Sequence, residues 1–493
     1  MTLDSLRDFV RALEDTGQLV RVREPVSVDR EITEIADRCM KSSGGGPALL
    51  FEHPVLPDGA KSRFPVLINA FGSTRRMETA LGASSLDDIG SRIQELLATA
   101  VPGGMAGKLS MLPKLAELAT YPPARAKGPA PCQSVVQREH EVDLRLFPHL
   151  ICWPEDGGPY ITFPMVITKD PVTGTRNVGL YRIQVQGPRE LAMHWQRHKV
   201  GAAHWREMAS RRERMPVAIV LGADPASMYA ASAPLPPTVD EFLFAGFLRR
   251  SPVRLVKCLT SDLEVPAEAE IVLEGYIDPA EELVMEGPFG DHTGFYSLAD
   301  LYPLVHVTAV TMRRDAIYPA TIVGRPPMED YYLGKATERI FLPLLRLTMP
   351  EVVDYHMPAY GIFHNLVFVG IRKQYPGHAW KVMNGLWGQG LMSLAKMIVV
   401  LDDWVNVRSP DEAWWVALNH IDPERDVRFT MGPVDVLDHA SRGFTYGSKM
   451  GIDATRKWPE EGFTREWPGL IKMDEVTQQR VDARWAKLGI RLP

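Results

Sequence analysis

Leu6, Phe9, Val10 and Leu13 recur at the three-and-four spacing of a helix, and Gly17 follows at the usual stop position, so the pattern predicts an amphipathic opening helix. Leu19-Val20-Arg21-Val22 then alternates like a strand, Glu31 to Met40 has helical spacing again, and the all-apolar Ala48-Leu49-Leu50-Phe51 predicts a short buried strand. Gly44, Gly45 and Gly46 precede that strand instead of following one, which predicts a loop and not a dinucleotide-binding turn. From about 132 to 320 the period shortens. Ile161-Thr162-Phe163, Met165 to Thr168, Val217 to Leu221, Val253 to Lys257 and Ala269 to Leu273 are β-like runs, separated by turn signals such as Asp170-Pro171 and Gly174. They predict a mainly antiparallel barrel or sandwich with inserted helices. The last third alternates once more, with strand-like runs from Leu366 to Ile371 and from Met397 to Leu401 around a helix starting near Ala379. Ser409-Pro410-Asp411-Glu412 supplies an N-cap, a proline at the first helical position and a glutamate placed for a capping box.

The density of proline and glycine between 101 and 131 marks an inter-domain connection. The expected layout is a multidomain α+β protein: an α/β domain over 1–125, a β-rich domain over 126–320 and a second α/β domain over 321–493. Length agrees, since single cores stop growing near roughly 250–300 residues and this chain has 493.

Composition narrows the function. With 45% hydrophobic and 24% charged residues the chain is globular, and a formal charge of −6 with dispersed basic residues excludes nucleic-acid binding as its main role. Cys39, Cys132, Cys152 and Cys258 lie far apart with no CxxC pair, which fits neither a zinc site nor a disulfide scaffold and suits a reducing cytoplasm. The acidic start, with Asp4, Asp8, Glu14 and Asp15, is unlike a signal peptide, and no transmembrane segment is expected because no run of about 18 apolar residues occurs.

The stretch most like a catalytic loop is Glu286-Gly287-Pro288-Phe289-Gly290-Asp291-His292-Thr293-Gly294, where three ionisable side chains sit among glycines and a proline. If Glu286 and Asp291 share a pocket, mutual repulsion raises one pKa, and a carboxyl that keeps its proton near neutral pH is a general acid. Taken by spacing alone, a polar surface turn has the stronger claim. A second constellation is Asn177, His198 and Glu241, a mixed oxygen and nitrogen set suited to Mn2+ or Mg2+. Singly, each has a structural reading: a turn residue, a helix-surface histidine and a solvated charge at a helix start. Arg182 alternates with Tyr181 on an expected strand, so one of the two should face inward, and a buried arginine needs a carboxylate partner such as Glu286.

Five motifs in order, NVGLYR at 177–182, LGADPAS at 221–227, VKCLTSDLEVPAEAEIVLEG at 256–275, EGPFGDHTG at 286–294 and SKMGIDATRKWP at 448–459, make the chain closely resemble the UbiD family of decarboxylases over nearly its whole length. The resemblance implies a central flavin-reductase-like split β-barrel that binds prenylated FMN and a C-terminal α/β domain that oligomerises subunits. It also implies reversible, non-oxidative decarboxylation of an aromatic or α,β-unsaturated acid. By the same resemblance Arg182, Glu286 and Asp291 are the catalytic trio, and Asn177, His198 and Glu241 are Mn2+ ligands beside a K+. Leu180, Tyr181, Arg182, His194, Trp195, Gln196, Lys199 and Val200 are the cofactor contacts. Asp291 stands where cinnamate-type members have glutamate, and His194-Trp195-Gln196 and His198-Lys199-Val200-Gly201 depart from the Arg-Trp-Leu and His-Arg-Gly-Gly of ubiquinone-pathway members. His292 is placed to join in proton transfer.

The substrate the resemblance favours is a 3-polyprenyl-4-hydroxybenzoate of quinone biosynthesis, from the GRPP turn at 324–327 and LGKATERIF at 333–341; a small phenolic, heteroaromatic or cinnamic acid is the alternative. Implied partners are a flavin prenyltransferase that makes the cofactor and further copies of this chain, as a dimer or hexamer. Two rival classes are a metal-dependent hydrolase, for which no HExxH-type motif speaks, and a non-catalytic flavin-binding scaffold, against which the retained Arg182, Glu286 and Asp291 argue.

Overall fold

The computed structural model describes residues 3–97, 117–196, 199–236, 238–363 and 365–490, so most of the expected connection between 101 and 131 lies outside the described residues. The opening helix is Leu6–Asp15, with Ser5 capping it by accepting from the Asp8 amide; Leu6, Phe9, Val10 and Leu13 are its buried face. It packs beside a four-stranded sheet in the order Leu19–Val22, Ala48–Phe51, Val66–Ile68 and Tyr318–Pro319. The first pair and the last pair are parallel and the middle pair antiparallel. The fourth strand comes from the far end of the β-rich region. Leu6, Phe9 and Leu13 accordingly share one apolar core with Ala218, Val220 and Val272 of the central sheet and Ile340 of a later helix.

The central sheet has nine strands, all antiparallel. Its order is Arg176–Leu180, Pro164–Lys169, Met215–Leu221, Ile271–Ile277, Leu304–Met312, Glu190–Met193, Ile183–Val185 and Tyr160–Ile161, with Val135–Arg138 also pairing Leu304–Met312. The sheet curls into a half-barrel. A register shift at Glu274/Gly275 bends it where any Cβ at Gly275 would fall 2.2 Å from the His306 carbonyl oxygen. Two expected strands differ. Thr162 and Phe163 lie outside any strand, and Arg254–Lys257 leaves the barrel to form a small sheet with Glu264–Pro266 and Ala124–Arg125.

The C-terminal sheet runs Val352–His356, Leu366–Ile371, Met397–Asp402, Tyr446–Asp453 and Val427–Pro433, parallel in its centre and antiparallel at both edges. Strand alternation gives it two cores. Val367, Val369, Ile398 and Val400 meet Val382 and Leu386 of the helix His378–Trp387, while Phe368, Val399 and Leu401 meet Ala413 and Val416 of the helix Pro410–His420 on the other face. Ser409 caps the latter helix as expected, but the capping box is only half made, because Glu412 accepts from the Asn406 amide at 3.0 Å. The 20-residue helix Glu329–Thr348 joins the parts, packing on the helix Leu86–Leu97 and on Val352–His356. No helix among the described residues is long and apolar enough to cross a membrane.

Candidate active site

The central sheet ends one strand at Leu180 and starts the next at Ile183, leaving Tyr181 and Arg182 on the short link between them. The sequence pattern predicts that one of the two faces inward; the link lets both do so, and both are buried or nearly so. Opposite lie two small hairpins, Val284–Glu286 with Asp300–Tyr302 and Phe289–Gly290 with Tyr296–Ser297. The loop between them is pinned from below. The Gly287 amide donates to Gln184 Oε1 at 3.0 Å, and the Gly290 amide to Asp156 Oδ1 at 2.8 Å. Gly287 has φ +98°, and a Cβ on Gly290 would sit 2.1 Å from the Trp153 ring, so both positions require glycine.

That loop delivers two carboxylates to one guanidinium. Arg182 Nε and Nη2 donate to Glu286 Oε1 and Oε2 at 2.8 and 3.1 Å; Nη1 pairs with Asp291 Oδ2, and Nη2 also donates to Ser297 Oγ at 2.9 Å. The guanidinium lies over the Phe289 ring, 4.8 Å from its centroid. His194 approaches Glu286 from the far side, Nδ1 to Oε2 at 2.9 Å, and packs at a tilt against Tyr302, ring centroids 4.3 Å apart. His292 closes the row, its Nδ1 3.0 Å from Asp291 Oδ1.

This geometry overturns the expected carboxyl of raised pKa. Burial opposes ionisation of Glu286, but His194 and Arg182 outweigh it and hold the group down at about 2. Asp291 is likewise held far below the carboxylate range, by His292 and Arg182 against the cost of burial. Arg182 intervenes between charges that repulsion alone would have driven to share a proton. The protonated neighbour is instead His292, which burial pulls down but Asp291, Asp330 and Asp435 raise to about 9. His194 shifts the other way, lowered by burial and by the charge of Arg182. Its neutral ring donates Nδ1–H to Glu286, and its buried Nε2 has no partner.

A cavity of about 220 Å3 opens against this row. Leu180, Tyr181, Arg182, His194, Gln196 and Lys199 form one wall, and Phe289, Asp291 and His292 the other; Leu437 reaches in from the C-terminal sheet's loops. Glu286, fully buried, lies behind the wall. Of the other expected cofactor contacts, Trp195 stands edge-on to Tyr181 with centroids 6.2 Å apart and does not line the cavity, and Val200 opens the helix Val200–Arg211.

The expected metal ligands are partly described. His198 lies outside the described residues. Asn177 is a buried strand residue, not a turn residue, and its Nδ2 has no partner. Glu241 begins the helix Glu241–Arg249, accepts from the Val178 amide at 3.1 Å and is pushed up to about 7 by burial. Tyr181, which lines the cavity, lies beside the pair. Among the described residues no cluster of three His, Cys, Asp or Glu forms a metal site. A buried asparagine amide beside a carboxylate that burial keeps reluctant to ionise still fits a cation, since the amide carbonyl and the carboxylate both offer hard oxygen donors.

Sequence reasoning missed Asp156, Gln184 and Ser297, which hold the loop, and Leu437, which closes the cavity. Only Asp156 carried a local signal, within the turn-rich Pro154-Glu155-Asp156-Gly157-Gly158.

Comparison with known proteins gives a consistent result. Three UbiD family descriptions match the chain: the 3-octaprenyl-4-hydroxybenzoate carboxy-lyase N-terminal domain over residues 10–93, the Rift-related domain over 124–326 and the C-terminal domain over 331–454. An uncharacterised protein of Aquifex aeolicus is 54% identical over 98% of each chain, and one of Archaeoglobus fulgidus 48% identical over 99% of each. Among solved structures, the vanillic acid decarboxylase of Sedimentibacter hydroxybenzoicus in its closed form has a TM-score of 0.85 at 27% identity, covering 99% of this chain and 100% of that one. The UbiD-class enzyme HmfF of Pelotomaculum thermopropionicum, in complex with FMN, has a TM-score of 0.77 at 29% identity, covering 96% and 99%. An evolved dimeric form of the same enzyme with prenylated FMN scores 0.75.

Proposed function

The chain belongs to the UbiD family of carboxy-lyases, and from that premise we propose that it removes CO2 from an aromatic carboxylic acid, without oxidation, using prenylated FMN. The observation that carries the reading is the buried row His194, Glu286, Arg182, Asp291 and His292 along one cavity, because loss of a carboxylate and formation of a C–H bond call for fixed charges and a proton side by side. Prenylated FMN, when bound, supplies the sink for the electron pair released as the carboxylate leaves. Leu180, Tyr181, Gln196 and Lys199 would hold it. The half-buried Lys199 ammonium, its pKa lowered by desolvation, suits a phosphate, and the unpaired His194 Nε2 suits a donor from the ring system. The central half-barrel would then be the flavin-reductase-like split barrel of the family. Asn177, His198 and Glu241 would hold Mn2+, or Mg2+, near a K+.

Arg182 orients Glu286 and Asp291 and keeps both ionised, so neither has to be desolvated as the reaction starts. The walls around Phe289 and Leu437 limit water beside the reacting carbon. We assign the finer identity to a 3-polyprenyl-4-hydroxybenzoate decarboxylase on the motifs at 324–327 and 333–341, with compact phenolic acids as the competing class. Exposed Trp415, Leu418, Phe429 and Phe444 on the C-terminal domain support a homo-oligomer.

Protein co-produced with a flavin prenyltransferase should carry prenylated FMN by absorbance and accurate mass and release CO2 from a member of a panel running from vanillic acid to polyprenylated hydroxybenzoates. Glu286→Gln should abolish release while retaining the flavin. A flavin-free protein, or full turnover by the Glu286→Gln variant, would remove this reading.

A further inference from the structure

Two apolar surfaces of this chain lie open to water, and they match. The first is the C-terminal arm, 470–490, in which every residue is exposed except the half-buried Thr477. Eight of its exposed side chains are large and apolar, Ile471, Val476, Val481 and Trp485 among them. Asp474 caps the helix Glu475–Asp482 by accepting from the Thr477 amide, and a 3-10 turn, Trp485–Leu488, follows. Among the described residues, no hydrogen bond, ion pair or ring contact of 470–490 reaches the rest of the chain. The arm is anchored just before it starts, where Trp467 stands edge-on to His420 at 4.9 Å and packs against Phe463. A helix of eight residues is marginal in water by itself, and so dense an apolar surface calls for cover.

The second surface is the outer face of the hairpin Val284–Glu286 with Asp300–Tyr302. Side chains alternate across a strand, so with Glu286 buried in the site Met285 faces outward, directly opposite Leu301. Both are exposed, and Leu298, beside Gly287, is 88% exposed. The charges around this strip have one sign: residues 278–302 contain six Asp and Glu and no Lys or Arg, and Glu281, Glu282 and Asp300 are at the surface. The arm is its complement, with Lys472, Arg480, Arg484 and Lys487 among its apolar residues against three acidic ones.

We propose that the arm of one copy docks on this hairpin of a second copy, its apolar side chains over Met285, Leu298 and Leu301 and its basic ones against Glu282 and Asp300. Every copy holds one arm and one strip, so a two-fold pair covers both at once by making the same contact twice. The hairpin carries Glu286 on its inner face and leads into the loop with Asp291, so the arm of the second copy backs the segment that holds both carboxylates. The inference rests on the homo-oligomer of the proposed function, not on its reaction, and names where the copies meet.

Two measurements on the full chain test this. By hydrogen exchange, amides of 475–488 should exchange on the order of tenfold or more slower than in a free peptide of the same sequence, and Leu298→Asp, a change at an exposed position, should remove that protection. In chains carrying Leu298→Cys together with Met473→Cys, Val476→Cys, Val481→Cys or Trp485→Cys, oxidation should join two chains by a disulfide in at least one of the four pairings. An arm that exchanges as fast as the peptide, protection unchanged by Leu298→Asp, or disulfides formed only within one chain overturns the proposal. Sedimentation of the wild type separates the two failures: an oligomer with an unprotected arm overturns this contact alone, and a monomer removes the homo-oligomer as well.

Discussion

Arg182→Gln is the sharpest test of how the catalytic row is held. Glu286 has no exposed surface, yet its carboxyl is held at about 2 instead of its ordinary 4.5, a difference equivalent to about 3 kcal/mol of native-state stability at neutral pH. The sign follows from the depressed value: the contribution is complete above pH 4.5 and is lost as pH falls through 2. Glutamine keeps much of the side-chain volume but removes the charge and most of the fork, leaving Glu286 with His194 alone. The variant should therefore unfold about 3 kcal/mol more easily at pH 7.5, within the ~3–5 kcal/mol typical of breaking a buried pair. Burial then drives the Glu286 carboxyl upward, so at pH 5 it takes up a proton in the folded state and the gap to wild type narrows. Urea unfolding at both pH values reads this directly. In the Glu286→Gln background the same arginine substitution should cost about 2 kcal/mol less, since Asp291 is then the one buried carboxylate of the pair left without the arginine. A gap under about 0.5 kcal/mol at pH 7.5, or one unchanged at pH 5, would refute the account of what holds Glu286 ionised.

Two further outcomes follow from the site's surroundings. If the proposed metal site is right, Glu241→Ala should bring Mn2+ content, measured by elemental analysis, to under a tenth of wild type, whereas an unchanged content would remove Glu241 from that site. Gly290→Ala forces a methyl against Trp153 and should cost about 1–3 kcal/mol in stability together with most of the decarboxylase activity, because the same residue's amide anchors the loop to Asp156; an unshifted melting temperature would show that Trp153 yields freely.

Local pattern carried the regular elements well. The helices Leu6–Asp15 and Glu31–Met40 and the strands Ala48–Phe51 and Leu366–Ile371 are written in periodicity that any short window contains. What it could not carry is what depends on partners distant in sequence. Arg254–Lys257 reads as a barrel strand, and only the arrival of Ala124–Arg125 and Glu264–Pro266 draws it into a separate sheet. The site shows the same division. Glycines and ionisable groups made 286–294 legible as a reactive loop, but repulsion between Glu286 and Asp291 was the wrong electrostatics, because Arg182, more than a hundred residues earlier, stands between them. The alternation of Tyr181 and Arg182 named the arginine as a carboxylate partner, while the saturation of Asp291 by its donors emerged only from distances.

The strand Tyr318–Pro319 has a consequence for how this chain is made. The N-terminal sheet lacks its outer strand, and the opening helix lacks half of the core it packs into, until the whole central region has been synthesised. At about 5–20 residues per second that delay is on the order of ten to fifty seconds, during which Val66–Ile68 presents an open edge. The first domain to leave the ribosome is thus among the last to be completed. Chaperone engagement during translation should concentrate on nascent chains shorter than about 320 residues and fall once Pro319 has emerged.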